Sequence, residues 1–259
     1  MRKTLASVLI ALAPPVHAST STSDYTDLWW NPSESGWGVN AIQQGGTLFL
    51  TFFVYGADGS AHWYSASDVP FSSNSNGVLT FQGALFETRG ILYGGATQSR
   101  QVGSVVITFT NLNSATMTYT VDGNLVSKQL QRYTFRTNNL SGSFLGLLNG
   151  TYSNCGAGLG YSEEVAPLNI TQASDGSITI SSSGQTACEF RGTYSQAGRL
   201  GSLTGSVACT ATTGSATGTF HFFDFEPAIS GLAGRGTMDF GGGCTWSGRI
   251  GWVKRNATS

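Results

Sequence analysis

Charged residues are scarce in this sequence, and the basic ones form no clusters. The 259 residues include 13 Lys and Arg against 14 Asp and Glu, so that only 10% of the chain is charged. Proteins that bind nucleic-acid phosphates need clustered Lys and Arg side chains. The composition therefore argues against nucleic acid as a partner.

Recognisable catalytic motifs are also missing. The chain has no G-x-S-x-G elbow, no H-E-x-x-H, no C-x-x-C and no phosphate-binding P-loop. Beyond the N-terminal segment only His62 and His221 remain, which leaves little for a histidine triad or a multi-histidine metal site. In an extended strand His221 faces away from Asp224 and Glu226, so these three predict no metal site without a bulge. We expect no metal and no cofactor.

Cysteine is absent from the first 154 residues, and the four cysteines all lie in the second half. An even number in an exported chain predicts two disulfides. Opposing Cys188 with Cys209 in one hairpin also places Phe190 across from Val207, so the cysteines and the apolar pattern favour the same register. By elimination Cys155 would bond Cys244, although four cysteines allow three connectivities.

The N-terminus, MRKTLASVLIALAPPVHA, has a basic start, a short apolar run and small residues at its end. This pattern predicts a secretory signal at residues 1–18, cut after Ala18. The apolar run is too short to span a bilayer, and no cysteine follows the cut to accept lipid. We expect a secreted or periplasmic protein with no membrane span after cleavage.

Glycine is abundant, with 35 residues, and it separates short stretches of alternating apolar and polar residues. This pattern predicts an all-β protein. About eight strand candidates precede residue 136 and about eight follow residue 147, all joined by short turns. We predict two successive antiparallel meander β-barrels, at residues 24–136 and 147–256, with a linker at 137–146. The alternative is one large β-sandwich.

Two turn pairs, Gly45-Gly46 and Asp58-Gly59, suit two-residue hairpin turns, from which strand register can be counted. The counting predicts a core face made of Trp37, Val39, Ala41, Leu48, Leu50, Phe52, Val54 and Trp63. It predicts an opposite face made of Asn40, Ile42, Phe49, Thr51, Phe53, Tyr55, His62 and Tyr64.

The second of these faces combines aromatic rings with hydrogen-bonding groups, which suit sugars, flat small molecules and protein partners. The predicted ligand-binding residues are Asn40, Phe53, Tyr55, His62 and Tyr64. We therefore expect an exported, non-catalytic binding or surface-interaction protein. The same face could instead pack against the second domain.

Glu34 lies on the turn-rich segment WWNPSESGWG and supports an alternative function. It could act as general acid or base in a secreted hydrolase of carbohydrate or cell-envelope polymer, whereas a Glu on a tight turn commonly caps backbone amides. The pair Glu163-Glu164 is interpreted as a solvated strand entry. An outer-membrane barrel is disfavoured by the paired cysteines and the short strands.

Three segments, WWNPSESGWGVN, TFFVYGADGSAHWYSAS and VVITFTNLNSATMTYTVDGNLVSKQLQRYTF, cover most of the first half. Together they resemble a group of exported bacterial proteins of unassigned activity. The resemblance implies export and a shared domain, and it implies no catalytic residues. The second half is similar, in a generic way, to the lipocalin and avidin meander barrels through LNGTYSN, which by analogy implies small-ligand binding.

Overall fold

The structure is a computed structural model that describes residues 23–56, 58–90, 94, 97–156, 160–184, 186–212 and 214–255. The predicted signal at residues 1–18 lies outside this part of the chain. The described residues form sixteen strands and no helix, so they contain no helical segment capable of crossing a membrane. The chain divides after Leu130 into two units, each built on a closed antiparallel barrel of eight strands. The two successive meander barrels are confirmed, and the single sandwich is wrong.

The first barrel follows the chain order of its strands, and each strand pairs with the next. Its strands are β1 (Asp27–Trp30), β2 (Gly38–Gln44), β3 (Thr47–Tyr55), β4 (Ala61–Ser75), β5 (Val78–Arg89), β6 (Gln98–Asn111), β7 (Ser114–Val121) and β8 (Asn124–Arg132).

The turn between β7 and β8 shows why the chain reverses where it does. Asp122 and Gly123 both have positive φ, 47° and 84°, which is the backbone that a type I′ hairpin turn requires. Across this hairpin the Thr118 hydroxyl lies 3.4 Å from the Ser127 hydroxyl.

Large side chains fill the interior of the first barrel. Its largest fully buried residues are Trp29, Leu48, Leu50, Phe52, Phe81, Leu85, Ile107, Phe109 and Met117. Their alternation along the strands is what directs them inward, because successive side chains of a strand point to opposite faces. Burial of such side chains is the main stabilising term for this unit.

The second barrel closes because its first strand pairs with both its second and its last. Its strands are β9 (Gly142–Ser153), β10 (Tyr161–Gln172), β11 (Ser177–Ser182), β12 (Thr186–Ala197), β13 (Leu200–Ala211), β14 (Gly214–Ala228), β15 (Gly231–Asp239) and β16 (Thr245–Lys254). Residues 142–146, placed in the linker by the sequence prediction, are the beginning of β9.

Glycines on the inner wall of the second barrel make room for rings. A Cβ atom on Gly150 would lie 2.6 Å from Cε2 of Trp246, and one on Gly236 would lie 2.5 Å from Cδ1 of Phe222. Trp246 and Phe222 are both fully buried. A side chain at either glycine would therefore displace a core ring.

Both predicted disulfides are present, joining Cys155 to Cys244 and Cys188 to Cys209. Cys188 pairs directly with Cys209 across β12 and β13, and Phe190 pairs with Val207. The register that was predicted from the cysteines is confirmed. Two disulfides are consistent with an extracellular or periplasmic protein, since cytosolic proteins rarely keep them.

Candidate functional site

The hairpin between β3 and β4 positions the candidate binding residues, and its turn is one residue longer than predicted. The N–H of Gly56 donates to the carbonyl of Ser60, and the N–H of Gly59 donates to the carbonyl of Gly56, each at 2.9 Å. Tyr55 consequently pairs with Ala61. Gly59 has a φ of 75°, as expected where a type I turn is followed by a left-handed residue.

Side chains within the turn stabilise this longer form. Oδ1 of Asp58 accepts hydrogen bonds from both the N–H and the hydroxyl of Ser60, at 3.0 and 2.6 Å. The Ser60 hydroxyl lies 3.0 Å from Nε2 of His62. Gly56 leaves room for these side chains, because a Cβ atom there would lie 2.9 Å from the His62 ring and displace it.

The shift by one residue reverses the faces of β4, and the predicted face assignment of this strand is wrong. Trp63, predicted in the core, pairs opposite Phe53 and is 63% exposed on the outer surface. His62 and Tyr64, predicted beside Phe53 and Tyr55, alternate with Trp63 and therefore point toward the barrel interior. A register slip of one residue exchanges the two faces of a strand.

Three of the five predicted binding residues nevertheless meet at one groove on the barrel rim. The groove has a volume of about 340 Å³ and is lined by Gly36, Phe53, Val54, Tyr55, Ala61, His62 and Trp63. The rings of Phe53, Tyr55 and Trp63 are 50%, 60% and 63% exposed. We call this feature the rim groove.

Asn40 and Tyr64 do not line the rim groove. Asn40 pairs with Thr51 on the outer surface, while Tyr64 packs against the buried core of the first barrel. The pKa of Tyr64 is raised, mainly by burial and to a smaller extent by the nearby Glu87 carboxylate. The groove gains Trp63, which the sequence prediction missed. Its exposed position could have been found only from the longer turn.

The row of side chains beside the exposed rings is polar and uncharged. Across β2, β3 and β4 the row next to the rings consists of Asn40, Thr51 and Ser65. Phe53 pairs with Gly38, which has no side chain to cover one edge of its ring. These neighbours leave flat aromatic faces open to solvent beside small hydrogen-bonding groups.

Inside the same end of the barrel, an ion-pair network surrounds the buried carboxylate of Glu87. Its oxygens accept hydrogen bonds from Arg89 at 3.1 Å and from Arg100 at 3.0 Å, and Nδ1 of His62 lies 3.7 Å away. Arg100 also donates to Asp122. The hydrogen bonds from Arg100 and Arg89 lower the pKa of Glu87, and the bond from Arg100 has the larger effect.

Glu87→Gln is expected to reduce the free energy of unfolding of the first barrel at neutral pH. The difference in this free energy between wild type and variant should become smaller at low pH. The pKa of the folded carboxyl lies below the ordinary 4.5, so the unfolded chain binds this proton more readily. The stabilisation is complete above that ordinary value and is lost as the pH falls through the folded pKa. Urea midpoints of wild type and variant, measured from about pH 7 to about pH 3, test this sign. A deficit that is constant with pH would contradict it, and Glu163→Gln serves as the exposed control.

The carboxylate of Glu34, the candidate general acid or base, is hydrogen-bonded to three neighbouring side chains. Its Oε1 accepts a hydrogen bond from the Asn31 amide at 3.2 Å, and its Oε2 accepts one from Nε1 of Trp37 at 3.1 Å. Nζ of Lys128 donates to the same Oε2 and lies 5.3 Å from the centre of the Trp37 ring. Chiefly because of Lys128, the pKa of Glu34 is lowered.

In the second barrel the simple alternation predicted for β14 is interrupted, and His221 and Glu226 are both exposed, on either side of buried Phe222 and Phe225. A bulge does occur between Phe223 and Glu226. However, Asp224 accepts a hydrogen bond from Arg235, and Glu226 accepts one from Arg199. Among the described residues, no group of three His, Cys, Asp or Glu could hold a metal ion.

Glu163 and Glu164 are not equivalent, contrary to their interpretation as one solvated strand entry. Glu163 is exposed, whereas Glu164 shares the inner face of β10 with buried Ala166, Leu168 and Ile170. The alternation of these apolar residues was the signal in the sequence that could have distinguished the two.

The fold and the rim groove together define a protein of two successive eight-stranded antiparallel barrels, the first bearing an aromatic surface groove. No known protein family matches the chain, and neither a curated protein nor a solved structure matches it. The functional proposal therefore depends on the chemistry of the rim groove.

Proposed function

We propose that this protein is an exported, non-catalytic binding protein whose rim groove holds a glycan chain. The observation that carries the proposal is the exposure of three neighbouring rings, Phe53, Tyr55 and Trp63, each at least half open to solvent. Aromatic rings present a negative face, which attracts the C–H groups on one side of a sugar ring.

The polar groups at the rim groove suit the remainder of a sugar. The hydroxyl of Tyr55 and the polar row of Asn40, Thr51 and Ser65 beside the rings can bond to sugar hydroxyls, while the exposed rings contact the apolar side of the sugar. The row beside the rings carries no charge, the exposed Asp58 of the adjacent turn is hydrogen-bonded to Ser60, and the acids inside this end of the barrel are paired with Arg89, Arg100 and Lys128. Such a site favours a neutral ligand over an ionic one.

The double variant Tyr55→Ala with Trp63→Ala is expected to lose glycan binding while keeping its stability. Two lost stacking contacts, at about 1 kcal/mol each, correspond to a loss of about 30-fold in affinity. Because both rings are mostly exposed, the free energy of unfolding should change by less than about 1 kcal/mol. Retention on a panel of insoluble and immobilised polysaccharides, together with thermal melting, measures both quantities.

A matched control is Tyr161→Ala, which removes a tyrosine of the second barrel that is 68% exposed. It should leave retention unchanged. Wild-type protein that binds no polysaccharide of the panel, or a double variant retained as well as wild type, would refute the glycan proposal. A large drop in melting temperature would instead show that the two rings are packing residues.

The alternative, a hydrolase using Glu34, is less well supported by the contacts of that residue. A general acid needs a carboxyl that keeps its proton, whereas Lys128, Trp37 and Asn31 all donate hydrogen bonds to the Glu34 carboxylate. These contacts suit a residue that anchors the β1–β2 loop to β8.

A further inference from the structure

The second barrel contains a cavity at the end where its disulfides lie. The cavity has a volume of about 470 Å³, within the range of about 300 to 1,000 Å³ that is common for small-molecule sites. Both disulfides border it, and rings of Tyr152, Phe190 and Phe240 form part of its wall. A smaller cavity of about 30 Å³ shares Leu148, Glu164 and Phe190 with it.

Glu164 is the one charged side chain among the described residues that line this cavity. It pairs with Leu148 on β9 and shares an inward-facing row with Ala166. Within the described chain its carboxyl has neither an ion-pair partner nor a hydrogen-bond partner. This contrasts with Glu34, Glu87 and Glu226, which are each bonded to Lys or Arg.

The surroundings of Glu164 disfavour an unpaired negative charge. Burial raises the pKa of Glu164. The pKa of Tyr152 is also raised, mainly by burial and to a smaller extent by the nearby Glu164 carboxyl. On its other side, the residues of β11 that share the smaller cavity are Ile180 and Ser182, neither of which titrates in the ordinary range. A partly buried carboxylate in an apolar wall gains most from a ligand of opposite charge.

We propose that the cavity of the second barrel binds a small organic cation, in which an amine pairs with the Glu164 carboxylate and an apolar body contacts the rings. The aromatic walls add attraction for a cation, since a positive group is drawn to a ring face. A neutral apolar ligand would leave the carboxyl without a partner, and an anion would be repelled. Two further ligands for a metal ion are not found near Glu164 among the described residues.

Three probes with the same aromatic body test this assignment: 1-naphthylmethylamine, 1-naphthylmethanol and 1-naphthoate. Calorimetric titration of the whole protein near neutral pH should give binding of the amine at least about tenfold tighter than the alcohol, and weakest binding of the carboxylate. At a pH low enough for Glu164 to be partly protonated, binding of the amine should release protons, because pairing favours the ionised form of Glu164. Its affinity should fall as the pH is lowered through the pKa of Glu164.

Glu164→Gln should abolish the preference for the amine over the alcohol, and its matched control Glu163→Gln should retain it. A preference that persists in Glu164→Gln, equal affinities for amine and alcohol in wild type, or failure of all three probes to bind would overturn the proposal. As a second variant, Ala216→Phe should fill the cavity and weaken both the amine and the alcohol, since Ala216 lines the cavity wall. If this variant still binds the amine and the alcohol as tightly as wild type does, the probes bind outside the cavity and the proposal is overturned.

Discussion

Replacing Cys155 and Cys244 together by serine is expected to lower the free energy of unfolding of the second barrel by about 4 to 5 kcal/mol. This disulfide joins residues 89 positions apart, connecting the end of β9 to the segment just before β16. In the chain-entropy description, removing so long a loop closure gives the unfolded chain a large gain in conformational freedom. Urea unfolding followed by hydrogen exchange in each barrel measures the loss.

The second disulfide provides an internal comparison for this result. Cys188 and Cys209 are 21 positions apart, so the matched double serine variant should lose about 3 kcal/mol. Neither variant should change hydrogen exchange in the first barrel, because all four cysteines lie in the second. A smaller effect for the longer loop than for the shorter one would count against the entropic account.

Phe109→Ala is expected to lower the free energy of unfolding of the first barrel by about 3 to 5 kcal/mol. The Phe109 ring is fully buried, stacked 3.8 Å from Tyr25 and edge-on to Trp29 and Phe81 at 5.2 and 5.8 Å. Alanine would leave a cavity among these rings, and closed barrel strands have little freedom to collapse into it. Urea unfolding monitored by hydrogen exchange of β6 and β7 measures the change.

Phe53→Ala is the control, since it deletes the same side chain from a position that is 50% exposed. Its effect on stability should stay within about 0.5 kcal/mol. If the two substitutions cost the same, the assignment of Phe109 to the interior and Phe53 to the surface is wrong. Phe53→Ala is also expected to weaken binding at the rim groove, which Phe109→Ala should affect only through unfolding.

Part of the fold could be predicted because independent signals in the sequence agree. In the hairpin of β12 and β13, the pairing of Cys188 with Cys209 and the apolar pairing of Phe190 with Val207 require one and the same register. Short Gly-rich turns between alternating strands likewise predict a meander, and eight strands in succession close into a barrel.

The faces of β4 could not be predicted from the same kind of counting. The pair Asp58-Gly59 fits a two-residue turn as well as the longer turn that forms, and nothing in the dipeptide distinguishes them. The choice depends on the hydrogen bond from Gly56 to Ser60 and on the Asp58 side chain, which are properties of the folded loop. One residue of difference moved Trp63 from the predicted core to the rim groove.

The cavity beside Glu164 was beyond prediction for another reason. The inward direction of Glu164 follows from the alternation of Ala166 and Leu168, but an empty volume is a property of all the strands that surround it. Residues far apart in the chain, such as Tyr152, Thr186 and Ala216, line this space together, so no single segment of the sequence predicts it.

Closure of both barrels also restricts how a partner can be recognised. A sheet with a free edge can capture an extended peptide by continuing its backbone hydrogen bonds, a mode called β-augmentation. In each described barrel every strand already has a neighbour on both sides, so the main chain offers no such edge. Under the proposed binding function, selectivity would then reside in side chains, and substitutions that leave the backbone untouched should be able to redirect it.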